Sequence, residues 1–345
     1  MLAVAISTAV IAGSLIVGDS VRYSLRQMTE ERLGQITHVL HAPVFFRQAL
    51  NSEMQLPDDA TSTPDAGPSG TMAAAILVTG SVEAKTADAR LRRAGSVTLL
   101  GIDNTGWQLL KNGGLSAPVD REVVLGFRTA QELQAKVGDE VSVWVEVPTS
   151  IPRDSLLGER DDVNVELVLT VSAIIPEDVG ASRFDLNPGQ QLPYNAFLPL
   201  LTLQQRLGLE AVEVSRRSPL AKPAKVNTIL VGGPSAGSEV TEASVNEDLQ
   251  RLQNRLKNRI QLSDVGLRLR TVPERGYISV ESERMILEDG LADSVTGAAR
   301  DLGFSTASTL VYLANEIYAA DRASDSERYS MYSLSPACHT TVLRR

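Results

Sequence analysis

Leu2–Leu33 reads LAVAISTAVIAGSLIVGDSVRYSLRQMTEERL. Its first half, Leu2 to Val17, is uncharged and apolar, and the later uncharged stretches of comparable length are broken by Pro and Gly. A helix rises about 1.5 Å per residue and needs roughly 20 residues to cross a hydrocarbon core of about 30 Å, so the run is slightly short on its own. Only the small Ser7, Thr8 and Ser14 interrupt it, whereas a helix packed on a soluble core carries a polar stripe. A secretory signal peptide, the next alternative, has a basic segment before the apolar centre and a small-residue cleavage site. Here the run starts at Met1 and leaves through Gly18-Asp19-Ser20-Val21-Arg22. The pattern predicts a transmembrane helix over residues 1–24, with Leu2, Val4, Ile6, Val10, Ile11, Leu15, Ile16 and Val17 facing lipid. Beyond Gly18, Val21, Leu25, Met28 and Leu33 keep near-helical spacing, so the helix is expected to continue outward as an amphipathic stalk.

The remainder folds. The chain has 345 residues, 43% of them hydrophobic, enough for one large or two ordinary domains. A formal charge of −9 excludes the electrostatic footprint of a nucleic-acid binder. The single cysteine, Cys338, rules out an internal disulfide framework and a cysteine-based zinc site.

Along the chain, strands are expected at Ala73–Gly80, Val97–Ile102, Glu122–Phe127, Val141–Val147, Val163–Ile175 and Asn227–Val231, then at Gly266–Val272 and Tyr277–Glu281. Helices are expected at Arg128–Lys136, at Leu200–Leu207 with Gly208 as the stop, and from Val245, where Leu249, Leu252, Leu256 and Ile260 recur on one face and Asn246 is the cap. Two more helices are predicted around Ser282–Asp289 and Ser305–Tyr318. Loop insertions fall near residues 51–71 and 232–244, an ordered loop over Pro176–Pro199, and a polar tail over 331–345. Strands and helices mix without regular alternation, which gives an α+β fold with a mixed sheet.

Chemistry is sparse. The phosphate-binding G-x-x-x-x-G-K-[ST], the dinucleotide fingerprint G-x-G-x-x-G and the zinc motif H-E-x-x-H are absent, and G-x-S-x-G is spelled only by Gly233–Gly237, inside the loop expected near 232–244. No catalytic, cofactor or metal residues are assigned, and the chain is not expected to be an enzyme. His38 and His41 are close enough in sequence to share a metal on a helix face, but a packed or solvated pair is the plainer reading. Glu159 with Asp161-Asp162 reads as an acidic loop.

Taken in order, several blocks resemble the extracytoplasmic core of FtsX-like, MacB-like ABC-transporter permeases of bacteria. They are the N-terminal helix with Gly18–Arg22 and Glu31–Gly34; Arg93-Ala94, Val97–Asp103 and Trp107; Val123–Leu125, Leu133 and Val137–Val141; Phe184–Leu186 and Gln190–Phe197; and Asp264–Arg270. The resemblance implies a MacB-like periplasmic core domain of two subdomains, spanning residues 25–330, on one N-terminal transmembrane helix. It implies a cell-membrane protein with its bulk outside the cytoplasm, although Arg22 and Arg26, by the positive-inside rule, would place that bulk inside. It further implies a separate cytoplasmic ABC ATPase as partner, the lipid bilayer as a second, and a second permease copy as a candidate third. The outer domain would bind cargo or a partner protein, of a class the resemblance leaves open, and move with the ATPase cycle. Family members carry a basic segment before the first membrane helix and further membrane helices after the core. The expectation is therefore a truncated permease, with an exported binding protein or hydrolase, or an inactive permease fragment, as the alternatives.

Overall fold

In the computed structural model the chain divides into two compact units, residues 1–147 with 163–260, and residues 148–162 with 261–345. The structure describes residues 2–55, 70–85, 90–146, 164–187, 191–214, 221–233, 242–282, 288–307, 311–318, 329–336 and 341–344.

The first unit opens with helix α1 (Leu2–Leu33), followed by β1 (Ile36–Arg47), α2 (Ala49–Gln55), β2 (Met72–Lys85) and β3 (Leu91–Ile102). Then come α3 (Asn104–Leu109), β4 (Glu122–Gly126), α4 (Phe127–Leu133), β5 (Glu140–Glu146) and β6 (Asn164–Ile175). β7 (Asn195–Pro199), α5 (Leu200–Leu207), β8 (Lys225–Gly232) and α6 (Glu242–Arg259) complete it. The strands form one eight-stranded sheet in the order β1-β8-β2-β3-β7-β4-β6-β5. Pairs β3–β7 and β4–β6 are parallel and the other pairs antiparallel, so the sheet is mixed as expected.

This sheet closes on itself. One edge of β2 is divided between two partners: Met72–Ala75 pair with β8, and Gly80–Ala84 pair with β5. β2, β3, β7, β4, β6 and β5 therefore make a ring, and β8 with β1 branches from it. The turn needs a residue without a side chain at the crossing. A Cβ on Gly80 would lie 2.2 Å from the Trp144 carbonyl oxygen, and the β2–β3 register slips between Gly80 and Val82. Where β2 has left β8, the Asn227 side chain takes the place of a strand. Its Oδ1 accepts from the Leu77 N–H at 2.8 Å and its Nδ2 donates to the Leu77 carbonyl at 2.7 Å.

Period-2 alternation fills both faces of the sheet. Ile76, Leu99, Val123, Leu125, Leu198 and Ile229 enter one core cluster, while Ala75, Leu100, Val124, Phe197 and Leu230 enter a second. This is why the strands read as nearly continuous apolar runs. The second core centres on Trp107, 2% exposed, whose ring meets Phe197 edge-on at 5.4 Å and whose Nε1–H donates to the Leu115 carbonyl at 2.7 Å.

In the second unit β9 (Leu267–Val272), β10 (Tyr277–Ser282), β11 (Ser305–Ala307) and β14 (Thr341–Arg344) form a four-stranded sheet ordered β11-β14-β10-β9. Helix α7 (Asp289–Asp301) packs Leu291, Val295 and Ala299 with Leu267, Ile278 and Val280. β12 (Val311–Tyr318) and β13 (Tyr329–Pro336) form a separate two-stranded ribbon.

Several expectations are corrected. The helix expected over Ser305–Tyr318 is β11 and β12, where β-branched and aromatic residues such as Val311, Tyr312, Ile317 and Tyr318 meet β13, a partner that local periodicity does not reveal. Of the helix expected around Ser282–Asp289, Ser282 ends β10 and Asp289 opens α7, and residues 283–287 lie outside the described residues. The stretch expected as a polar tail carries most of β13 and all of β14, held by pairing with β12 and β10. Helix α6 starts at Glu242, so Asn246 is an interior residue rather than the cap. β1 and α2 were not expected, and β7 lies within the loop expected over Pro176–Pro199.

Trp107→Ala, which empties the middle of the second core, should lower unfolding stability by about 3–5 kcal/mol in urea titrations followed by Trp144 fluorescence. Arg251→Ala on the solvated face of α6 should stay within about 0.5 kcal/mol of wild type.

Candidate functional site

α1 has no proline and only Gly13 and Gly18 as weak helix formers, so nothing in it breaks the hydrogen-bond ladder. Of the residues expected to face lipid, Val10, Ile11, Leu15, Ile16 and Val17 are 60–68% exposed. At 100° per residue they point to all sides of the helix rather than along one stripe. Leu2, Val4 and Ile6 belong to the same helix, and their side chains lie outside the described residues. Further along, Val21, Leu25 and Met28 are 52–59% exposed, beside an Arg26–Glu30 ion pair of 2.7 Å. Among the described residues no helix is long and apolar enough to cross a membrane.

The foot of α1 is built differently. Gly34 ends the helix in the left-handed region at φ +68°, its N–H donating to the Glu30 carbonyl at 3.0 Å. A side chain there would collide with backbone, since its Cβ would stand 2.6 Å from the Leu109 oxygen and 2.8 Å from the Lys111 nitrogen. The Gln35 N–H donates to the Leu109 carbonyl at 2.8 Å, and the Gln35 carbonyl accepts from the Gly233 N–H at 2.8 Å. From the opposite side comes a 3-10 turn, Gly180–Arg183, where a Cβ on Gly180 would lie 1.8 Å from the Glu31 carbonyl oxygen. Ala181 N–H donates to the Lys111 carbonyl at 2.9 Å, so the turn and the segment after α3 are joined to each other as well.

A buried side chain fixes that turn. Asn195, 1% exposed at the start of β7, donates through Nδ2 to the carbonyls of Phe184 (2.9 Å), Ser182 (3.3 Å) and Ala181 (3.4 Å). Thr129 of α4 in turn donates to the Asn195 carbonyl at 2.9 Å. The structure thus brings together residues from blocks far apart in sequence, Glu31–Gly34, Phe184 and Asn195, around one joint. Sequence reasoning missed Gly180, Lys111 and Asn195 as its parts. The only local signal was Gly34 following a helical period.

The other residues weighed from sequence do not converge on chemistry. His38 and His41 lie on strand β1, where an i, i+3 pair points to opposite faces. His38 Nε2 lies 3.1 Å from the Val245 carbonyl, and His41 Nδ1 lies 2.9 Å from Thr228 Oγ1. Since the Thr228 hydroxyl donates to Asn227 Oδ1 at 3.0 Å, it accepts from the His41 Nδ1–H. Partial burial holds the His41 imidazole below its ordinary pKa. Glu159, Asp161 and Asp162 lie outside the described residues, and among the described residues no group of His, Cys, Asp or Glu is placed to hold a metal ion.

A family model for the MacB-like periplasmic core domain matches residues 1–252, a span that takes in α1, its foot and the whole closed sheet. The crystal structure of the periplasmic region of MacB from Actinobacillus actinomycetemcomitans is similar over 62% of this chain and 75% of that one, at 11% identity and a TM-score of 0.32. No curated protein matches the chain.

Gly34→Ala should destabilise the first unit by about 1–2 kcal/mol from the left-handed backbone alone, read by chemical denaturation. Gly180→Ala should push the foot of α1 off its seat, and the Gln35 and Ala181 amides should then exchange hydrogen faster than in wild type. Gly13→Ala, with nothing within 4 Å of its Cβ, is the control and should leave exchange at the foot unchanged.

Proposed function

Since the chain belongs to the MacB-like periplasmic core domain family, matched over residues 1–252, we propose that it is the permease-type component of an ABC transporter, with a non-enzymatic body outside the cytoplasm. The apolar end of α1 is embedded in the bilayer, and a separate cytoplasmic ATPase drives the motion. The body binds cargo or a partner protein and is carried by the helix.

The observation that supports this reading most is the contrast along α1. Its first half displays apolar side chains on every side, and its last turn is seated on backbone from two other parts of the unit, 109–111 and 180–181. Burying one exposed Val, Leu or Ile is worth about 1.5–3 kcal/mol, so a helix clothed in them on all sides is stable only in an apolar surrounding. A rod held so firmly at one end passes a rigid-body displacement on to the sheet instead of absorbing it in a loop. Asn195 extends that path, because it ties the turn under α1 to β7 in the ring.

Full-length protein expressed in a bacterial host should remain in the membrane pellet after a carbonate wash, and a variant lacking residues 1–18 should be released. Ile11→Arg combined with Leu15→Arg, each costing about 2.5–3.5 kcal/mol near the bilayer centre, should shift the chain toward the wash fraction. Retention of the deleted variant in the pellet would overturn the reading.

A further inference from the structure

Beside the foot of α1 the surface folds inward into a cleft of about 590 Å³, a size typical of small-molecule sites. Its walls are Glu31 and Gln35 at the end of α1, Gln108 and Lys111 at and just after α3, and Asp178 before the 3-10 turn. The side chains of Gln35, Gln108, Lys111 and Asp178 make no hydrogen bond or ion pair with any described residue. Glu31 has one weak contact, from Gln27 Nε2 at 3.5 Å.

We propose that this cleft binds an uncharged, polyhydroxylated ligand, a saccharide of about disaccharide size. The lining selects the class. Leu110 and Val179 are its only large apolar members and no aromatic ring is present, so neither an acyl chain nor a nucleobase finds a surface to cover. Lys111 is its only cationic side chain, against the carboxylates of Glu31 and Asp178, so a phosphorylated or polyanionic ligand meets net repulsion. What remains unused are carboxamides that donate and accept, carboxylates that accept and an ammonium that donates. Neighbouring sugar hydroxyls, each both donor and acceptor, match that set.

The site is also assembled in advance. Gln35 N–H to the Leu109 carbonyl and Ala181 N–H to the Lys111 carbonyl fix the wall segments, and the bare Gly180 lets Glu31 close over the turn. The backbone is therefore set before a ligand arrives, and binding has to order only the side chains that line the cleft. Because it would touch α1 and the body at once, it would brace the joint between them. The inference stands on the cleft alone and does not require the transport reading.

The test is a titration of the full-length chain, held in a polymer free of glycosides and glycerol, with cellobiose and N,N′-diacetylchitobiose by saturation-transfer NMR. A neutral tripeptide and inorganic phosphate are the competing probes. At least one disaccharide should bind saturably in the millimolar range and slow hydrogen exchange over 109–113 and 178–181. Lys111→Ala with Asp178→Ala, both exposed positions, should weaken binding about tenfold or more while leaving the circular dichroism spectrum unchanged. No saturable binding by about 50 mM, unchanged affinity in the double variant, or tighter binding of the tripeptide or phosphate would each overturn the proposal.

Discussion

The last turn of α1 rests on a surface of bare backbone. At Gly180 even one methyl group would sit 1.8 Å from the Glu31 carbonyl oxygen, and at Gly34 it would sit 2.6 Å from the Leu109 oxygen. Two missing side chains thus set the distance between helix and body, and they let main-chain hydrogen bonds through Gln35, Gly233 and Ala181 replace a loop. Most helix ends fray into water within a turn. Here the helix end is the most constrained part of the element, and the exposed apolar side chains lie in its other half.

The ring of strands provides the anchorage that such a joint needs. It closes because Gly80 admits the Trp144 backbone, and its branch to β8 is held by the two hydrogen bonds of Asn227 to Leu77. Asn195 does comparable work on the opposite side, binding carbonyls of the turn that carries Gly180. Both are buried neutral amides, Asn227 engaged through Oδ1 and Nδ2 and Asn195 through Nδ2 alone, its Oδ1 having no partner among the described residues, and bonds of this kind fix geometry more than they add stability. Removing either would leave unpaired backbone groups inside the protein.

Much of the closed sheet was legible in the sequence, for a local reason. The strand, helix, turn, strand unit from Glu122 to Val147 and the strand ending at Ile175 announce themselves by period and by Gly138, and α5 stops at Gly208 because that residue sits at φ +65°. β1 escaped because Pro43, His38 and His41 disguise a branch strand as an irregular segment. The stretch Ser305–Tyr318 was misread because its strands depend on partners supplied by β13 and β14, and a period measured within one segment carries no trace of a distant ladder. The joint was hidden for the same reason, since Glu31 and Gly180 meet only after the whole sheet has closed. The exposed apolar half of α1, by contrast, needed only its composition.

The central claim is that α1 is lipid-embedded along its first half and rigidly rooted at Gly34. It is tested most directly by spin labels introduced one at a time, on a Cys338→Ser background, as Val10→Cys, Leu15→Cys, Ile16→Cys and Leu25→Cys in liposomes. Power saturation should show the labels at 10, 15 and 16 accessible to oxygen and shielded from a polar nickel chelate, and the label at 25 the reverse. Equal access of the chelate to all four positions would contradict the account.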